Sequence, residues 1–175
     1  MNIPKNKIFF EDIEYINNHF EEKKKLKGSK ILITGCAGFL GYYFLHYFTL
    51  YFEELGLEKI IGLDNFILNK PKWLKELSKK NEILDIKTFD ISKDNLDQIN
   101  LGDIDYILHM ASIASPTFYR KYPIETLDAN IWGLRKILDF YKNKSIKGLL
   151  MFSSSEVYGD PDKKNIPTSE KYLGN

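Results

Sequence analysis

Seven residues, Gly35-Cys36-Ala37-Gly38-Phe39-Leu40-Gly41, constrain this chain more than any other stretch. They follow the apolar run Ile31-Leu32-Ile33 and precede an aromatic-rich stretch, Tyr42 to Phe52, that reads as a helix. Strand, glycine turn, helix is the context in which three glycines spaced G-x-x-G-x-x-G carry meaning. The first lets the chain turn off the strand, and the second lets backbone approach a pyrophosphate. The third removes a side chain where helix and strand pack. Backbone N–H groups at the helix start, those of Phe39 and Leu40 among them, then face the phosphates with the positive end of the helix dipole behind them. A second apolar run, Lys59-Ile60-Ile61-Gly62-Leu63, ends at Asp64, 23 residues after Gly41. A dinucleotide fold places there the carboxylate that grips the adenosine ribose hydroxyls.

Length and composition limit the alternatives. A chain of 175 residues has room for one domain, large enough to bury roughly 70% of its unfolded surface. A formal net charge of +1 gives no electrostatic reason to expect nucleic acid or an acidic membrane surface as a partner. Lys23, Lys24, Lys25 and Lys27 read as a solvated helix end. One cysteine, Cys36, excludes an internal disulfide and a multi-cysteine metal site; its place in the turn reads as a small side chain beside a ligand rather than a reactive thiol. No signal peptide and no apolar run of roughly 20 residues is present, so a reducing cytoplasm is the expected compartment.

Strand and helix signals alternate along the rest of the chain. Residues 9–22 have apolar positions at helical spacing and predict an extra helix ahead of the first strand, packed outside the domain, with residues 1–28 as an extension and 29–175 as the domain. Strands are expected at 30–34, 59–63, 83–89, 104–110 and 148–152, and helices at 39–55, after Pro71, at 94–99 and at 123–143. In the last of these Ile124, Leu127, Ile131, Leu134, Leu138 and Tyr141 form an apolar seam, which Trp132 and Ile137 widen. Such alternation predicts an α/β fold: a Rossmann-like parallel sheet with helices on both faces, preceded by the N-terminal helix. In such a sheet the ligand lies beyond the carboxyl ends of the strands. The glycine turn, Asp64-Asn65, Asp90-Ile91, the stretch from His109 to Pro116 and Ser153–Glu156 all fall at such ends.

Taken in order, these clusters resemble the extended short-chain dehydrogenase/reductases that act on nucleotide sugars. The resemblance rests on Thr34 to Gly41, Asp64-Asn65-Phe66, Asp90-Ile91, His109-Met110-Ala111-Ser112, Asn130 and Ser153 to Pro161, and covers about residues 29–175. Within that family it is strongest to the UDP-glucuronate decarboxylases, through His109 to Pro116 and the Ser-Glu-Val-Tyr-Gly-Asp-Pro run; sugar 4,6-dehydratases also carry a Glu at the position of Glu156. The resemblance implies a bound, recycled NAD and transient oxidation of a nucleotide sugar at carbon 4. It places Gly35, Gly38, Phe39, Leu40, Gly41, Asp64, Asn65, Asp90, Ile91, Met110, Ala111, Ser112 and Asn130 at the cofactor. Ser154 falls where the family hydrogen-bonds the reacting hydroxyl, and Ser155 and Glu156 where proton transfer is assisted. It also implies a homodimer built through the long helix.

One departure stands out. The family's base is a Tyr with a Lys four residues on, and none of the eleven tyrosines here has that neighbour. The chain therefore reads as the N-terminal, NAD-binding part of a decarboxylase, dehydratase or epimerase, inactive alone. Two other readings are a stand-alone NAD-binding or interaction domain, and a reductase of non-sugar substrates in which Glu156 has no obvious task.

Overall fold

The computed structural model describes residues 7–174. Five strands, β1 (Lys30–Thr34), β2 (Lys59–Asp64), β3 (Leu84–Thr88), β4 (Tyr106–His109) and β5 (Gly148–Met151), form one parallel sheet in the order β3-β2-β1-β4-β5. Central β1 is an uninterrupted apolar run because both of its faces are covered. Ile31 and Ile33 enter one core, and Leu32 enters the other. Thr34 pairs with both Leu63 and His109, so the three middle strands finish level. The chain winds from β1 through β2 to β3 on one side, then returns to β4 and β5 on the other. The reversal opens a crevice between the carboxyl ends of β1 and β4.

Helices cover both faces. On one lie α1 (Lys7–His19), α2 (Phe39–Leu50), α3 (Phe52–Leu55) and α4 (Lys72–Lys80), whose Phe9, Ile13, Leu45, Leu55 and Leu74 share a core with Ile31, Ile33 and Ile60. The expected helix at 39–55 is thus broken after Leu50 and ends at Gly56, a left-handed stop at φ 63°. Helix α2 is apolar on more than the sheet side and needs a cover, which α1 supplies. Phe9 packs edge-on against Tyr42 at 5.2 Å, and the Tyr47 hydroxyl donates to Asn17 Oδ1 at 3.1 Å. Burying Phe9 and Ile13 contributes on the order of 2 kcal/mol each. The part of the extension before Lys7 lies outside the described residues.

After α5 (Pro116–Lys121), which buries no residue, the other face carries one long continuous helix made of α6 (Pro123–Asp128), a π turn (Ala129–Gly133) and α7 (Leu134–Tyr141), packed on it through α7. Here the structure corrects the periodicity. The buried stripe is Gly133, Ile137 and Tyr141, whereas Ile124, Leu127, Ile131, Trp132 and Leu138 of the expected seam and its margin are exposed, Trp132 at 57%. The π turn inserts one extra residue, which rotates the helix by about 100° between its two halves. Smaller differences concern lengths: the third and fourth strands are shorter than their apolar runs, and the expected helix at 94–99 is a single 3-10 turn, Leu96–Gln98. No helix among the described residues is long and apolar enough to cross a membrane.

Candidate functional site

The carboxyl ends of the strands open into a cleft of about 710 Å³. The glycine turn forms its floor. Residues 64, 65, 67–69 and 89–92 line one end, residues 110–114 and the long helix line the middle, and 151–154 line the other end.

The turn is shaped by two close approaches. Gly35 has φ +71°, and a Cβ on it would lie 2.8 Å from the backbone of Met110 and Ala111, so only glycine lets β4's exit pass. A Cβ on Gly41 would run into the Cys36 carbonyl. Gly38 is the N-cap of α2 and its carbonyl accepts from Tyr42 N, but no side chain caps this helix. The first-turn N–H groups of Phe39, Leu40 and Gly41 thus have no intrahelical partner, and all three residues line the cleft. No Lys or Arg is among the described residues lining it, so an anion there meets oriented amides and the helix dipole alone. These features fit the pyrophosphate of a dinucleotide. Cys36 is not beside the ligand space as expected. It is fully buried beneath the turn, and burial, with the charge of Asp64, raises its thiol pKa far above the usual range, which leaves it unreactive.

Asp64, at the end of β2, has two tasks in the backbone. Its Oδ2 accepts from Ala37 N at 2.9 Å, which pins the glycine turn, and its Oδ1 accepts from Phe66 N at 2.8 Å. The second bond supports Phe66 in the left-handed region at φ 55°. Each oxygen keeps a lone pair that a ribose hydroxyl can use. Burial raises the Asp64 pKa, and the two backbone bonds oppose that. Asn65 Nδ2 donates to Asp90 Oδ2 at 3.1 Å, joining the ends of β2 and β3. Asp90 Oδ1 accepts from Ser92 N at 3.0 Å and Ser92 Oγ at 2.6 Å. Burial works to raise the Asp90 pKa, and the bonds from Ser92 and Asn65, with Lys93, outweigh it and leave the pKa lowered.

Across the crevice, Thr34 and His109 are register partners on β1 and β4, and Thr34 Oγ1 lies 2.7 Å from His109 Nδ1 in the buried floor. The same hydroxyl accepts from Ala111 N at 3.3 Å, while Met110 N donates to Thr34 O at 3.1 Å. These bonds set the path of Met110, Ala111 and Ser112 past the glycine turn. Burial lowers the His109 pKa to about 4, so the ring is neutral at pH 7. Asn130 sits in the π turn and lines the same wall.

At the far end Ser154 lines the cleft, whereas Ser155 and Glu156 do not. They begin an exposed 3-10 turn, Ser155–Tyr158, whose start is held by Ser154 Oγ accepting from Glu156 N at 3.3 Å. All thirteen expected cofactor residues and Ser154 therefore meet in one cleft. Sequence reasoning did not single out Glu125, Thr126 and Tyr119, which line the wall formed by α5 and α6. Their signal is faint, because only the placement of the helices turns them toward the strands. Among the described residues no cluster of three or more His, Cys, Asp or Glu could hold a metal ion.

Comparison with known proteins agrees with this geometry. UDP-glucuronic acid decarboxylase 1 of Arabidopsis thaliana is 31% identical over 150 residues, which are 85% of this chain and 31% of that protein. The enzyme of the same name from Xenopus tropicalis is 33% identical over 148 residues, 83% of this chain and 31% of that one. Among solved structures, UDP-N-acetylglucosamine 4-epimerase from Methanobrevibacter ruminantium M1, in complex with UDP-N-acetylmuramic acid, superposes with a TM-score of 0.67 at 29% identity, covering 85% of this chain and 44% of that one. A variant of UDP-glucuronic acid 4-epimerase from Bacillus cereus, in complex with a fluorinated UDP-sugar and NAD, gives a TM-score of 0.67 at 26% identity, covering 83% of this chain and 46% of that one. The chain spans about a third to a half of the length of these relatives. The NAD dependent epimerase/dehydratase family matches residues 31–174, from the strand before the glycine turn to the residues after the Ser154 turn, and the chain belongs to that family.

Proposed function

We propose that this chain is the NAD-binding part of a nucleotide-sugar enzyme that works through transient oxidation at sugar carbon 4, of the UDP-glucuronate decarboxylase or sugar 4,6-dehydratase type. The observation that carries this reading is the uncapped helix start over the glycine turn, with Asp64 and Asp90 at one end of the same cleft and Ser154 at the other. The names of the relatives, decarboxylases by sequence and 4-epimerases by structure, support the substrate class. In this reading the amides of Phe39, Leu40 and Gly41 hold the pyrophosphate. Asp64 holds the ribose hydroxyls, Asn65, Asp90 and Ile91 bound the adenine, and Met110, Ala111, Ser112 and Asn130 line the path to the nicotinamide. Bound NAD supplies a reversible hydride acceptor. Ser154 Oγ hydrogen-bonds the reacting sugar hydroxyl, and Ser155 and Glu156 assist proton transfer once substrate is seated.

Residues 29–175 form the cofactor domain in this proposal, with 1–28 as an extension, and the protein works in the cytoplasm as a homodimer with no nucleic acid or membrane partner. The exposed Leu127, Ile131 and Trp132 are the apolar face available for that association. No tyrosine here is followed four residues on by lysine, so the 175-residue chain by itself is expected to turn over nothing. A 4-epimerase is the second reading, favoured by the two epimerase superpositions. The deciding experiment incubates the complete protein with UDP-glucuronate, and separately with UDP-hexoses, and follows the products by mass spectrometry. Loss of carbon dioxide or water supports the first reading, and 4-epimers support the second. NAD binding without turnover of any sugar would leave a non-catalytic cofactor domain.

A further inference from the structure

Outside the cleft, one side chain is tied to its adenine end. Lys136, in α7 of the long helix, directs its Nζ at two backbone carbonyls of the loop after β3, Ser92 O at 2.6 Å and Asp94 O at 3.1 Å. Its helix neighbours do not compete for it, because Arg135 and Asp139 pair with each other at 2.6 Å. The loop it holds is the one built around Asp90, whose N–H donates to Asp94 Oδ2 at 2.7 Å. One turn earlier on the same helix, Gly133 closes the π turn against Ile91; a Cβ there would lie 2.9 Å from Ile91 Cγ2. Helix and loop therefore meet twice, through the Ile91 wedge and the Lys136 tether. Lys136 does not line the cleft itself, so it acts through the loop.

We infer that Lys136 is a positioning residue, holding residues 90–94 in the shape that presents Asp90 and Ile91 to the adenine. The inference rests on the reading of the cleft as an NAD site. An ammonium suits the task because it has three donors, enough for both carbonyls, and draws the loop toward the helix without entering the ligand space. Adenine offers an exocyclic amine to the Asp90 carboxylate, so a displaced loop should cost recognition of that edge more than overall binding. A lysine whose role was only to stabilise the helix would not change which base is preferred.

The test uses the complete protein with Lys136→Met, Lys136→Arg and, as a control on the same helix, Arg135→Ala. Titrations are made with NAD and with its hypoxanthine analogue, in which the adenine amine is replaced by a carbonyl oxygen. The expected result is that Lys136→Met weakens NAD about tenfold, the scale of a hydrogen bond to a charged group, and narrows the preference for NAD over the analogue. Lys136→Arg should restore most of both, and Arg135→Ala should change neither. Hydrogen exchange of the free protein supplies a readout independent of any ligand: Lys136→Met should speed exchange at amides 92–95 and leave β1 unaltered. Failure of the wild type to bind NAD would overturn the cofactor reading and with it the adenine role, while the exchange result would still decide the tether. Unchanged exchange in that loop, or an unaltered preference between the two dinucleotides, would overturn the proposal.

Discussion

The two ends of the cleft are built to different standards. At the end under β2 and β3 the polar side chains are anchored: Asp64 accepts two backbone amides, Asn65 bridges to Asp90, and Lys136 ties down the loop that follows. At the end under β5, the Ser154 hydroxyl accepts one local bond of 3.3 Å, Glu156 stands in an exposed turn, and Leu150 and Met151 of the edge strand are exposed. The anchored end presents a rigid, preorganised surface of the kind that recognition needs. The open end holds Ser154 and Glu156 with few neighbours to orient them, and orientation supplies much of a catalytic rate enhancement. Under the proposed function, cofactor recognition falls to the anchored end and chemistry to the open one, and the two can be tested separately.

The comparison can be broken most forcefully at the turn that joins the two ends. Gly41→Ala drives a methyl into the Cys36 carbonyl, and forcing that backbone apart should cost about 3 kcal/mol or more. Chemical denaturation should show that loss together with absent NAD binding. A mild effect on both would mean that the turn is pliable. Next in size, under the proposed function, is Ser154→Ala in the complete protein. It should lower turnover by about 10²–10⁴ and leave NAD affinity nearly unchanged, measured by steady-state kinetics beside calorimetry. Wild-type turnover would make the Ser-Ser-Glu stretch a purely structural turn. Glu156→Gln sharpens the same point, since a slowed step after oxidation would let reduced cofactor accumulate and appear in absorbance.

His109 sits between the two ends and makes the floor sensitive to acid. Its folded pKa of about 4 lies below the ordinary 6.5, so between those values the unfolded chain takes up the proton first. Stability is unaffected by this group above about pH 6.5 and declines below it, by on the order of 3 kcal/mol by the time the pH reaches about 4. Urea midpoints at pH 7 and pH 4.5 should therefore differ more for the wild type than for His109→Gln. Equal differences would mean that burial does not hold the His109 ring neutral.

How far these features were readable in advance depends on whether their cause is local. The glycine turn announced itself because its spacing encodes backbone geometry, and Asp64 because a strand end at a set distance encodes position. The five-stranded parallel sheet followed from alternation. The inward stripe of the long helix is not legible in the sequence, because an apolar period does not say which stripe faces the core. The π turn at Ala129–Gly133 shifts the register, and no residue type marks it. Thr34 and His109 are 75 residues apart in sequence and meet through strand pairing. Lys136 looked like any lysine on an exposed helix, and only the packing of that helix against the loop after β3 gives it two carbonyls.

Under the proposed function the anchored end selects NAD. The ionised Asp64 carboxylate and the extra phosphate of NADP, about 4 Å apart at an effective dielectric near 20, would repel by about 4 kcal/mol, and solvent screening reduces this. Lys70, a cation that could offset that repulsion, lies over the Phe66 ring at 4.4 Å and does not line the cleft. Calorimetric titration with the two cofactors side by side is the direct measurement. NAD should bind at least about tenfold more tightly, the part of the Asp64 repulsion that survives screening. Asp64→Asn should narrow the gap. Equal affinity for NAD and NADP in the wild type would contradict the selection of NAD.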